Sequence, residues 1–131
     1  MKYVQALCLL TALLGSAAPA AAQTSGSQGP EETPHRRQLW SLPSPDPNTS
    51  SRAVLFRPPG NGPFPLAVIA HATTQNALRR AQMPQPEYRA LASWFVRHGY
   101  AVLVPERPGH GLTGGRYLED QDGCDNADYP N

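Results

Sequence analysis

Apolar residues along the chain fall into four short blocks and one helical face. Residues 38–42 (Gln38-Leu39-Trp40-Ser41-Leu42) alternate polar with apolar, the period of a strand with one face on a core. The segment 53–57 opens with Ala53-Val54-Leu55-Phe56 and reads as a second strand, stopped by Pro58-Pro59-Gly60. Residues 66–70 (Leu66-Ala67-Val68-Ile69-Ala70) and 100–104 (Tyr100-Ala101-Val102-Leu103-Val104) are continuous apolar runs, the pattern of strands buried on both faces. Pro105 is expected to end the second run. Between them, residues 86–98 predict a helix. Pro86 suits its first position, and Glu87 suits the positive end of its dipole. Tyr88, Leu91, Ala92 and Phe95 fall at i, i+3, i+4 and i+7 and make one apolar face, with Arg89, Ser93 and Arg97 on the other side. Gly99 stands where a left-handed cap is wanted.

The order strand, helix, strand predicts a parallel pair joined by a right-handed crossover. One helix cannot cover both faces of such a sheet, so residues 36–131 read as a partial, incomplete α/β domain. Residues 23–35 are polar, with Gly, Ser and Pro, and are expected to be a disordered leader. The first 22 residues read as a secretory signal. Lys2 precedes an apolar run of 11 residues, Val4 to Leu14, and Ala20-Ala21-Ala22 offers a cleavage site before Gln23. That run is well short of the ~20 residues a spanning helix needs. The expected destination is the periplasm or the medium, with no membrane contact after cleavage.

Composition narrows the function classes. At 40% hydrophobic and 16% charged, the chain carries too few charges for a disordered polyelectrolyte, and 131 residues set a ceiling of one domain. Lys2 is the only lysine. Beyond the signal, the arginines and the carboxylates are equal in number, which argues against nucleic acid as a partner. Cys8 lies in the signal, so export leaves Cys124 as the single cysteine. It is a free thiol, an intermolecular link, or a candidate disulfide residue whose partner lies C-terminal to Asn131.

Two segments carry candidate chemistry. His71-Ala72-Thr73-Thr74 follows the run 66–70, and functional groups in open α/β sheets gather at the carboxyl ends of strands. A tight turn there aims backbone N–H groups at developing negative charge, as acyl transfer requires. The second segment is Pro105 to Gly115 (PERPGHGLTGG). Gly109, Gly111 and Gly114 spell G-x-G-x-x-G, but two prolines separate them from the strand and no helical pattern opens at the last glycine. A dinucleotide fingerprint requires both features. Glu119, Asp120, Asp122, Asp125 and Asp128 read as a solvated acidic loop, since Cys124 and Asp125 stand where a calcium loop needs an oxygen ligand and a glycine. His71 and His110 have no second ligand at metal-site spacing, so no metal is expected.

Together the two segments resemble the N-terminal part of an α/β-hydrolase, nearest to exported bacterial dienelactone-hydrolase-like or acyl-peptidase-like members, over about residues 50–130. Ala72 stands where the family's His-Gly-x motif has glycine, and the resemblance implies Ala72 or Thr73 as oxyanion-hole donor. Arg107-Pro108-Gly109-His110-Gly111 resembles the family's Arg-Gly-x-Gly loop, placing His71, Gly109, His110 and Gly111 beside the site. The resemblance implies a hydrolase of small-molecule esters or peptides working through an acyl-enzyme, with no cofactor. The family's G-x-S-x-G or G-x-C-x-G elbow is absent: Ser93 falls inside the helix, and Cys124 lacks the second glycine. No catalytic residue is therefore expected in this chain, which reads as a fragment inactive on its own. The alternative is a truncated, non-catalytic secreted protein (a pseudoenzyme).

Overall fold

The computed structural model describes residue 23 and residues 25–119. The signal segment, Cys124 and the acidic run beyond Glu119 lie outside the described residues.

Five strands and two helices follow one another as β1 (Gly26–Ser27), β2 (Gln38–Leu42), β3 (Ser51–Phe56), β4 (Leu66–Val68), α1 (Ala77–Ala81), α2 (Arg89–Arg97) and β5 (Ala101–Glu106). The strands form one mixed sheet in the order β1-β2-β3-β5-β4. β4 and β5 are parallel, with Ala67 opposite Val102, as the strand–helix–strand order predicts. The other neighbours are antiparallel. The molecule is thus a small mixed α/β domain.

The register assigns each face. Leu39, Val54 and Val104 stand in one row and Phe56, Val102 and Ala67 in another, all on the side where α2 packs through Ala92 and Val96. The opposite face carries Trp40, Leu55, Leu103 and Val68, and α2 does not reach it. Leu66 and Val68 on this side are 58% and 59% exposed. The segment 66–70 is therefore not a strand buried on both faces. It is a three-residue edge strand covered on one side: among the described residues no sixth strand flanks β4, and nothing packs over the face that carries Leu66 and Val68.

Other elements differ from expectation for local reasons. β5 runs through Pro105 to Glu106. The Ala101 N–H and the Leu103 carbonyl bond toward β4, so Pro105, two residues on, turns its missing donor to that same side, where β4 has already ended. Helix α2 begins at Arg89, three residues after Pro86, with Tyr88 left-handed at the N-cap. Glu87 is outside the helix and pairs with Arg37 at 2.6 Å and Arg89 at 2.6 Å instead of facing the dipole. The buried face of α2 is Ala92, Phe95 and Val96, while Tyr88 and Leu91 are exposed.

The helix end matches the sequence reading. Gly99 is left-handed at φ +87°, its N–H bonds the Val96 carbonyl, and the Tyr100 N–H reaches Phe95. The Phe95 and Tyr100 rings meet at 5.6 Å, the apolar contact that accompanies this cap. Helix α1 was not foreseen; Asn76 caps it by accepting from the Arg79 N–H at 2.9 Å.

Residues 23–35 are not a structureless leader. β1 pairs with β2, and Glu32 and Arg37 exchange both backbone hydrogen bonds. Ion pairs Glu31–Arg36 and Glu32–Arg37, five residues apart, close this turn, and Arg57 also reaches Glu31. Polar composition hid the structure because charge pairing and backbone bonds, not apolar burial, hold it.

Candidate functional site

Because β4 and β5 are parallel, the segments after them leave the sheet at the same end. Residues 71–76 and 107–119 meet there. His71 is buried at 5% exposure. Its Nδ1–H donates to the Ala72 carbonyl at 2.8 Å, and its Nε2 accepts the Arg107 backbone N–H at 3.1 Å. Arg107 returns a side-chain bond to the His71 carbonyl at 2.7 Å and pairs with Glu119 at 3.0 Å. Burial lowers the pKa of His71 below its ordinary value, the charges of Arg107 and His110 add to this, and the Ala72 carbonyl and Glu119 oppose it. Both ring nitrogens are committed to backbone, so His71 is a neutral cross-link between the two loops.

His110 lies within the second loop and is fully buried. The Pro108 carbonyl can only accept, so His110 Nδ1 carries the hydrogen in their 3.1 Å contact. That leaves Nε2 to accept from the Thr73 hydroxyl at 2.7 Å. The rings of His71 and Tyr117 meet His110 edge-on at 4.8 Å and 5.6 Å. The Arg80 guanidinium sits 3.7 Å over the Tyr117 ring, and its Nη1 holds the Thr74 carbonyl at 2.7 Å. Short helix α1 thus braces both loops, since the Arg80 carbonyl also takes the Gly111 N–H.

Two glycines in the second loop are required by close approach. A Cβ on Gly109, at φ +80°, would sit 2.6 Å from the Tyr117 Cα. One on Gly111, at φ +43°, would collide with Glu106 Oε1 and the Met83 carbonyl. No helix opens after Gly114 among the described residues; the His110–Gly114 bridge folds the glycines into a turn instead of a phosphate cradle. Sequence reasoning missed Glu106. It is fully buried, and its Oε2 accepts the Thr113 N–H at 2.7 Å, which shapes the loop. An acidic residue ending an apolar strand was the available signal.

Ala72 and Thr73, the candidate oxyanion donors, are exposed at the top of this assembly. Neither backbone N–H has a partner among the described residues. Ala72 is not among the non-glycine residues with positive φ, so the turn accepts alanine where the resembled motif has glycine. The structure brings His71, Ala72, Thr73, Gly109, His110 and Gly111 into one cluster. Chemically, it is a turn with open N–H donors, pinned from below by two histidines.

Ser93 hydrogen-bonds His35 Nε2 at 2.9 Å and accepts from Arg97 at 2.6 Å. It lines a cavity of about 300 Å³ with Pro34, Phe56 and Arg89. This pair ties the segment before β2 to α2, and no hydrogen bond orients the second ring nitrogen of His35 among the described residues.

No protein-family model matches the chain, and none of the curated proteins matches it.

Proposed function

We propose that the chain belongs to an exported, dienelactone-hydrolase-like α/β-hydrolase that cleaves ester or amide bonds through an acyl-enzyme, and that it contributes the oxyanion-binding turn. The observation that carries this reading is the pair of exposed N–H groups at Ala72 and Thr73, neither of which has a partner among the described residues. Their turn follows the last residues of β4 and is fixed by buried His71 and His110. Preorganised N–H donors lower the barrier to a tetrahedral intermediate because they need not reorient as charge develops, and one such donor is worth about 2.7–4 kcal/mol. The substrate is a small ester or peptide in the periplasm or medium. The nucleophile of the main reaction is a Ser or Cys on a glycine-framed elbow outside residues 23–119.

The test is the protein as its source exports it, with its intact mass measured and its activity assayed on p-nitrophenyl esters and peptides. The expected result is hydrolysis blocked by a serine or cysteine reagent, with the label on a G-x-S-x-G or G-x-C-x-G elbow C-terminal to residue 131. An exported protein that ends at Asn131 and hydrolyses neither class would favour the non-catalytic alternative.

A further inference from the structure

We propose that the Thr73 hydroxyl is itself an acyl acceptor, activated by His110. The inference builds on the oxyanion reading of the same turn, but it concerns a different group and needs no residue outside the described ones. Three features carry it. Thr73 Oγ1 lies 2.7 Å from His110 Nε2, within reach for direct proton transfer. The Pro108 carbonyl holds the hydrogen on His110 Nδ1, which leaves Nε2 as the acceptor. Thr73 is an exposed residue while His110 is fully buried, so the pair lies where the packed loops meet solvent. Nucleophile, base and orienting acceptor are thus aligned, the arrangement that defines an activated hydroxyl. The expectation of a chain without a catalytic residue rested on glycine framing, which a bond between two distant loops bypasses.

The step is acyl transfer from an activated ester. Thr73 Oγ1 attacks the carbonyl carbon as its proton moves to His110 Nε2. The oxyanion meets the Thr73 and Ala72 N–H groups; a nucleophile's own N–H serves this way in serine proteases. Collapse breaks the bond to the leaving oxygen, which departs with the proton from His110, and an ester on Thr73 remains. Among the described residues His110 is the one base at hydrogen-bond distance from Oγ1, and it also serves as the acid for the leaving group. Aryl esters, whose phenols are the readiest leaving groups, are the substrate class. Tyr117, with its hydroxyl 3.4 Å from Thr73 Oγ1, adds a second contact that holds the rotamer.

The experiment treats the 131-residue chain with p-nitrophenyl acetate and maps acetylation by peptide mass spectrometry. The expected result is nitrophenolate release matched by an acetyl group on the Thr73 peptide. Thr73→Ser keeps the adduct and Thr73→Val removes it. His110→Gln slows acetylation of Thr73 at least ~100-fold, the usual size of a lost general base. His110 is fully buried, so where that variant does not fold, the pair of Thr73 variants at an exposed position decides the matter. An acetyl group absent from Thr73, or one that forms there equally fast in urea, overturns the proposal. Thr73→Val retains both backbone N–H groups, so phenylphosphonate binding to that variant tests the oxyanion reading separately.

Discussion

His71 looks, in the sequence, like a strand-end histidine with a choice of roles. Its two hydrogen bonds to backbone and its burial reduce the choice to one. One of them reaches across 36 residues to Arg107, and the Thr73–His110 bond spans 37, so nothing in local spacing reveals them. The sequence did indicate which residues would gather, because both segments follow strands of the same parallel pair. The lowered pKa of His71 has a consequence for stability. Its ordinary value is 6.5, and the folded value lies below that. As the pH falls through that window, the unfolded chain binds a proton that the folded chain refuses, so the stabilisation present above 6.5 is lost. The urea midpoint should therefore fall between about pH 7 and pH 5, and His71→Gln should flatten that slope. A midpoint constant over this range in the parent chain would contradict the assignment. Glu31, with a hydrogen bond from Arg36, and Asp46, bonded by the Asn48 N–H, are held below their ordinary values of 4.5 and 3.8. Their contributions disappear only at lower pH.

Helix α2 shows how an element can be recognised while its orientation is not. Periodicity located it, and Gly99 set its end, because a cap depends on local backbone. The apolar face was misjudged by about one position. Tyr88 adopts the left-handed N-cap conformation and leaves the helix, and the stripe that meets the sheet is Ala92, Phe95 and Val96. Leu91 is 46% exposed, whereas Ala92 is fully buried against the sheet. Leu91→Lys should thus change stability by no more than about 0.5 kcal/mol. Ala92→Leu should cost about 1–3 kcal/mol through overpacking. Denaturant midpoints measure both, and a larger loss from Leu91→Lys would restore the face inferred from periodicity.

For the whole molecule, the parallel pair and the meeting of residues 71–76 with 107–119 at its carboxyl end followed from element order alone. The turn closed by Glu32 and Arg37 and the edge position of β4 did not, because charge pairing, and a sheet with no sixth strand among the described residues, leave no apolar signature. One face of the sheet is packed and the other presents Leu66 and Val68 to solvent at an open edge. Such a surface favours association, so the chain should bind a hydrophobic dye and self-associate. Leu66→Lys with Val68→Lys should weaken both while preserving the helical circular dichroism signal; a parent chain that remains monomeric and binds no dye would contradict this. The central claim concerns the turn after β4, and amide NMR tests it most directly. Titrating the chain with phenylphosphonate, a tetrahedral anion, should shift the Ala72 and Thr73 amide resonances saturably and ahead of all others. Saturable shifts elsewhere, with those two amides unmoved in a folded chain, would contradict the account.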